Sequence, residues 1–142
     1  PAAFDTLTWY GKGPWETYAD RKDAALIGLY TSSVAEQHVP FAVPCECGGH
    51  EDTRFAALSD GTHTVQIVAS DDFHFSALPY SIAEYRKATY EEELPEQTTG
   101  TWLILDVAHA GLGGDTGWTK NIHPEYRVCK GRYSYTFRFH FA

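Results

Sequence analysis

Two short glycine-rich segments carry the residue types that a sugar-binding site needs. The first is residues 10–21, YGKGPWETYADR, and the second is residues 109–118, HAGLGGDTGW. An indole offers a flat face for stacking on a sugar ring, and carboxylates accept hydrogen bonds from hydroxyls. Glycine loses the most chain entropy on folding, so a glycine-rich loop that presents Trp118 beside Asp115 is costly to order. The segments therefore have the composition of a carbohydrate site. The residues alone nevertheless favour the alternative, that both are tight turns with a packed tryptophan.

Acidic pairs suited to cleaving a glycosidic bond can be found, but each has another explanation. Such hydrolysis uses two carboxyl groups about 5 to 9.5 Å apart. The chain has 19 acidic residues, and the candidates are Glu16 with Asp20, Asp71 with Asp72, and Asp115 alone. Glu16 and Asp20 could instead pair with the neighbouring Arg21 or cap backbone amides. Adjacent aspartates are common in turns. We therefore predict no complete catalytic pair in this chain.

The remaining reactive residues do not form a recognisable centre. Cys45, Cys47 and His50 could supply three zinc ligands, but no second pair has matching spacing, so unligated thiols and no metal site are expected. No serine lies in a Gly-x-Ser-x-Gly elbow. The glycines after His109 lack the lysine and the following helix of a phosphate-binding loop. His109 follows a predicted strand and is the first residue of the loop. Its side chain therefore either faces a ligand or forms hydrogen bonds to the backbone.

Composition limits the class of protein. The 142 residues suit one domain covering the whole chain, 1–142, and an aromatic share of 15% favours β structure. The net charge of −8 repels phosphate backbones, so nucleic acid is not expected as a partner. No apolar run is long enough to span a bilayer, so no membrane association is expected. An odd count of three cysteines suits a reducing compartment, here the cytoplasm. The chain begins without Met, which indicates a processed product or a piece of a longer protein.

Periodicity predicts about seven strands, one short helix and several long loops. Residues 24–34 fit either a helical stripe or a β face, and the stretch between Pro40 and Pro44 fits an extended segment or edge strand. Ser81 is a good N-cap with Glu84 three residues later, which predicts the helix. The aromatic alternation in the last segment predicts a strand, and we expect its aromatic face to be covered. The predicted strands are 4–10, 54–58, 62–69, 73–78, 102–107 and 133–141, which together describe an antiparallel sandwich.

An ordered set of motifs extends over nearly the whole chain. In order, the motifs are Tyr10-Gly11-x-Gly13-Pro14-x-Glu16-x-Tyr18-x-Asp20-Arg21, Val39-Pro40-Phe41-x-Val43-Pro44, Glu46, Thr53-Arg54, Gly100-Thr101-Trp102-Leu103-x-Leu105-Asp106, Gly111-x-Gly113-Gly114-Asp115, Trp118 and Gly131-x-Tyr133-x-Tyr135. This set resembles the small-chain module, the second half of the last domain, of the lacZ-type β-galactosidases of glycoside hydrolase family two. The sequence departs from the family pattern at Cys45 and Cys47, and in the Thr116-Gly117 pair before Trp118.

The resemblance implies a fold, an activity and a set of site residues. The fold would be an all-β antiparallel supersandwich, like galactose mutarotase, with one short helix. The activity would be hydrolysis of terminal β-D-galactosides such as lactose. The catalytic glutamates would lie in a barrel domain absent from this chain, so the 142 residues alone would be inactive. The residues that the resemblance implies for substrate binding are Trp118, Asp115, Gly114 and His109, and those of the structural motif are Glu16, Asp20, Arg21 and Arg54.

The resemblance also implies partners. They are the galactoside substrate, the remaining domains or a large subunit, and further copies in a homo-oligomer. No cofactor is expected in this part, and Mg²⁺ and Na⁺ are candidate cofactors of the whole enzyme. The alternative function is a stand-alone carbohydrate-binding or mutarotase-like module, which would bind galactose by itself.

Overall fold

The computed structural model describes residues 4–96, 100–114 and 121–142. In this part of the chain the secondary structure is mostly antiparallel strand, with one short α-helix and three isolated 3-10 turns. The all-β class with one short helix is therefore confirmed. The strands are β1 (Thr6–Gly13), β2 (Leu26–Ser33), β3 (Gly49–Ser59), β4 (Thr64–Leu78), β5 (Trp102–Asp106) and β6 (Phe137–Phe141); the helix is α1 (Ile82–Lys87), and the 3-10 turns are Ala35–Gln37, Glu91–Glu93 and Pro124–Tyr126.

The six described strands form one sheet in the order β2-β1-β3-β4-β5, and β6 also pairs with β4. The strand β4 is long enough to pair with three other strands. One edge of β4 pairs with β3 along its length. The other edge pairs with β6 in its first half, where Val65 lies opposite Phe141, and with β5 in its second half, where Leu78 lies opposite Trp102. β5 and the loop that follows it are therefore held beside the C-terminal half of β4.

The β3–β4 ladder is irregular in its middle. Thr53 pairs with Phe73 but Phe55 pairs with Val68, so β4 contributes extra residues there. Asp52 lies on the β3 side with a positive φ of 51°. Such bulges bend a strand and re-aim its side chains, often beside functional sites. The bulge separates the half of β4 that pairs with β6 from the half that pairs with β5.

The core consists of aromatic and aliphatic side chains on one face of the sheet. Trp9 and Phe75 are almost fully buried, and alternation along β1 leaves Tyr10 on the opposite face exposed. A second, smaller cluster joins α1 to the sheet through Tyr85 and Leu78. The helix begins as expected, because Ser81 and Glu84 form a capping box.

Of the two possibilities for residues 24–34, the structure shows the β face, as strand β2. Several predicted boundaries were wrong in detail, since the predicted strands 62–69 and 73–78 are one strand, β4. Asp71 and Asp72 therefore lie in the irregular part of β4 and not in a turn. Residues 41–43 belong to no strand, and residues 42 and 43 form a bend. The last strand covers only Phe137–Phe141, because its ladder with β4 ends where β4 becomes irregular.

Candidate functional site

Asp20 joins the two glycine-rich segments. Its two carboxylate oxygens accept the backbone N–H groups of Leu112 at 2.9 Å and Gly113 at 2.7 Å. A Cβ at Gly111 would lie 2.5 Å from an Asp20 oxygen, so only glycine allows this approach. Charge-assisted bonds to two successive N–H groups hold a loop strongly. We call this arrangement of Asp20 and residues 111–113 the Asp20 latch.

The loop held by the latch has further support and an unusual backbone. Gly111 donates its N–H to the carbonyl of Tyr126 at 2.8 Å. Gly113 and Gly114 have φ values of 69° and 97°, a region that residues with side chains rarely adopt. Both glycines are therefore required by the path of the chain. The site predictions for Asp115 and Trp118 fall just beyond, outside the described residues.

Glu16 anchors the first segment from inside the fold. Its carboxylate is buried and accepts the Tyr18 hydroxyl at 3.0 Å and the Gly48 N–H at 2.9 Å. Arg21 approaches the same carboxylate at 3.4 Å, but its side chain is 61% exposed. Burial, and secondly the Glu16 charge, raise the pKa of Tyr18, which therefore stays a hydrogen-bond donor. Glu16 and Asp20 each bind backbone N–H groups, so this pair serves the architecture of the loops.

Arg54 organises the other carboxylate pair. Its guanidinium donates to the Asp52 carbonyl, lies 3.3 Å from an Asp72 oxygen and packs over the Tyr10 ring with 5.7 Å to the centroid. These contacts span the β3–β4 irregularity. Asp71 and Asp72 are exposed there. Asp72 therefore has a cationic partner within the sheet.

His109 lies at the base of the loop, beside a second histidine. Its ring centroid is 4.3 Å from that of His74 and 5.5 Å from that of Tyr18. One His109 nitrogen lies 2.7 Å from the Ala110 carbonyl. His74 is buried in β4 and lies 3.0 Å from Asp106 of β5. The predicted site residue His109 is thus part of a histidine–carboxylate cluster that sequence reasoning did not assemble, although Asp106 is the one charged residue in an apolar strand.

A cavity of about 340 Å³ opens beside this cluster. It is lined by both histidines and by four carboxylates, those of Glu51, Asp52, Asp72 and Glu125. Burial raises the pKa of Glu51, while the neighbouring His74 and Lys22 oppose that shift. The cavity is therefore polar and rich in acceptors for hydroxyl or cationic groups.

The cysteine segment does not form a three-ligand cluster. Cys45 is exposed and Cys47 is buried. The Cys47 sulfur faces the Tyr85 hydroxyl and the Val39 N–H, and burial raises the pKa of the thiol. His50 bonds elsewhere, to the Gln37 side chain at 2.6 Å. Among the described residues, His74, Asp106 and His109 are the group of three that could hold a metal ion.

The fold and the latched loops describe an antiparallel β domain that presents a glycine-rich loop at its edge. Residues 1–139 match the family described as Beta galactosidase small chain. The chain therefore belongs to the β-galactosidase small-chain family.

Named relatives agree with the family match. The chain is 38% identical over 135 residues to a β-galactosidase of Vibrio cholerae, 39% over 136 residues to one of Priestia megaterium, and 34% over 137 residues to one of Leuconostoc mesenteroides. These alignments cover 95–96% of the chain but only 12–13% of each relative. In the described part of the chain, no helix is long and apolar enough to cross a membrane.

Proposed function

We propose that this chain is the part of a β-galactosidase that forms one wall of the sugar site, while the bond-cleaving carboxylates belong to other domains. The observation that supports this most directly is the Asp20 latch. Two charge-assisted bonds fix residues 112 and 113, and the chain reaches Trp118 five residues later. A fixed loop base limits the conformations that the indole can adopt, so less entropy is lost when sugar stacks on it.

The partners of the described carboxylates argue against a catalytic role for them. Glu16 and Asp20 are engaged with backbone N–H groups, and Asp72 is paired with Arg54. None of these three is left to protonate a leaving group or attack an anomeric carbon. The domain therefore binds and orients a terminal β-galactoside such as lactose, with Trp118 as the stacking surface and Asp115 and His109 as polar neighbours. Hydrolysis with retention needs a carboxylate pair supplied from outside this chain.

The proposed partners follow from the relatives. Since the chain covers about an eighth of their length, the other domains, or a large subunit, complete the enzyme. The whole enzyme would be a cytoplasmic homo-oligomer that uses Mg²⁺ and Na⁺ in its catalytic domain.

Substitution of Trp118 by alanine in the full-length enzyme tests the proposal. Stacking of one sugar ring contributes about 1–3 kcal/mol, so W118A should raise KM for a β-galactoside by roughly 5- to 150-fold. W102A is the matched control, because Trp102 is half exposed on β5 and has no proposed contact with sugar. Its KM should stay within about twofold of the parent enzyme, since surface substitutions usually have small effects. If W118A hydrolyses galactosides with unchanged KM and kcat, the indole is not a sugar-binding surface.

A further inference from the structure

Two imidazoles and one carboxylate converge at the end of β5. His74 and Asp106 are direct partners in the β4–β5 register, and His109 follows three residues after Asp106. One donor atom from each side chain lies within 4.8 Å of the other two. Residues distant in sequence are thus brought together by sheet pairing.

The spacing is close to what a transition-metal ion needs. Bonds of about 2.0–2.1 Å in a tetrahedral site place neighbouring donors about 3.3 Å apart. The His74 nitrogen and the Asp106 oxygen are already 3.0 Å apart. His109 is partly exposed at the base of a loop, and a shift on the order of 1 Å would bring its nitrogen to bonding distance.

His74 has an unused nitrogen. The residue is only 5% exposed, and Nε2 has no hydrogen-bond partner among the described residues. Its ring packs so closely on Gly49 that a Cβ there would collide with this nitrogen. Nε2 therefore faces β3, and the packing on Gly49 fixes the orientation of the ring. Nδ1, which faces Asp106, is the nitrogen that can bind an ion shared with that carboxylate.

The electrostatic surroundings favour a cation. Four carboxylates line the adjacent cavity together with one guanidinium, that of Arg127. Lys22 pairs with Asp52 at 2.6 Å and Arg54 with Asp72 at 3.3 Å, which neutralises two of the four. With Asp106 added, the balance around the cluster remains negative.

We propose that His74, Asp106 and His109 bind one divalent transition-metal ion, with Zn²⁺ as the best match. Two imidazoles and one carboxylate suit Zn²⁺ or Co²⁺, whereas Mg²⁺ prefers oxygen ligands alone. Three protein ligands leave a fourth position open to the cavity, where water binds. The ion takes the place of the hydrogen bond between His74 Nδ1 and Asp106 and connects the base of the loop to β4. This site is separate from any Mg²⁺ or Na⁺ site of the whole enzyme and does not depend on sugar binding.

The test is metal titration of the full-length protein that carries this chain, after chelation and in excess Mg²⁺ to occupy oxygen-rich sites. Zn²⁺ uptake is measured by calorimetry, and Co²⁺ uptake by its visible d–d absorption. The variants are H74Q and H109Q, with H140Q as the matched control, because His140 is exposed on β6. The parent and H140Q should bind one more equivalent of Zn²⁺ than H74Q and H109Q, or bind it at least about 10-fold more tightly.

A thermal readout keeps the test valid if H74Q folds poorly. His109 is partly exposed, so metal-free H109Q should have the circular dichroism and melting temperature of the metal-free parent. Zn²⁺ should raise the melting temperature of the parent and of H140Q but not that of H109Q. Equal Zn²⁺ stoichiometry and affinity in the parent and H109Q, or no Zn²⁺ uptake by the parent beyond the Mg²⁺-protected background, would overturn the proposal.

Discussion

At the residue scale, one carboxylate, that of Asp20, connects the two glycine-rich segments of the sequence. Asp20 binds N–H groups 92 and 93 residues further along the chain. The sequence indicated that both segments mattered and that Asp20 could cap backbone amides. It did not indicate which amides, because the partner of a cap outside regular structure depends on how distant loops meet. The same is true of His74, whose neighbours Asp106 and His109 are set by strand register.

His50 gives the fold a defined pH dependence. The ring is fully buried against Trp9 and Phe75, and burial lowers its pKa to about 4. In the unfolded chain the pKa is about 6.5, so between these values the unfolded state binds more protons. Stability should therefore fall as the pH drops from about 6.5 to about 4, by about 3 kcal/mol at most. Urea denaturation of the 142-residue chain across this range measures the loss.

The matched variants for this prediction are H50Q and H63Q. H50Q removes the titrating group, so its free energy of unfolding should depend less on pH in that window, even though its stability at pH 7 is lower. His63 is exposed, with 68% of its side chain accessible, and H63Q should keep most of the parental slope. The same slope in H50Q and the parent would show that His50 titrates alike in the folded and unfolded states.

At the scale of elements, the alternation of apolar and polar residues predicted the existence of strands well where one face is buried. It predicted poorly the residues at which a strand ends. Alternation located β1 and the two halves of β4, a short apolar run located β5, and the capping box located α1. It predicted a strand over 133–136 as well, although only Phe137–Phe141 pairs with β4. The alternating tyrosines there serve another purpose, since the Tyr135 hydroxyl donates to the Asp72 carbonyl at the irregular part of β4. Periodicity cannot reveal where a neighbouring strand becomes irregular.

Gly49 at the start of β3 packs closely against β4. A Cβ at this position would overlap His74 Nε2 and lie 2.9 Å from the Tyr18 ring. Both rings are buried, so neither can move freely. G49A should lower the free energy of unfolding by about 1–3 kcal/mol, as overpacked cores do. Urea denaturation of the 142-residue chain measures it.

G100A is the control for this prediction. Among the described residues, no atom lies within 4 Å of a Cβ at Gly100, so the free energy of unfolding of G100A should differ from that of the parent by no more than about 0.5 kcal/mol. A G49A protein as stable as G100A would mean that β3 and β4 are not packed as described.

At the scale of the whole molecule, one sheet supports both the core and the loops that form the candidate site. Large apolar side chains remain exposed on this sheet, among them Leu29 at 67% and Phe141 at 80%. We expected the aromatic face of the last segment to be covered, and this stays a prediction about the remaining domains. The all-β class followed from aromatic content and alternation. The proposed division into a sugar-binding wall here and catalytic carboxylates elsewhere followed from the resemblance, since it depends on parts that this chain does not contain.

The central claim is that the Asp20 latch acts on substrate through the loop that leads to Trp118. A double-mutant cycle of D20N and W118A in the full-length enzyme tests it, with kcat/KM for a β-galactoside as the measurement and D23N, at an exposed aspartate nearby, as the control. Loss of hydrogen bonds to a charged group costs about 1.5–3 kcal/mol, so D20N should lower kcat/KM by roughly 10- to 150-fold, mainly through KM, and D23N should not. In the W118A background D20N should have almost no further effect. Independent, multiplicative losses from D20N and W118A would contradict the account.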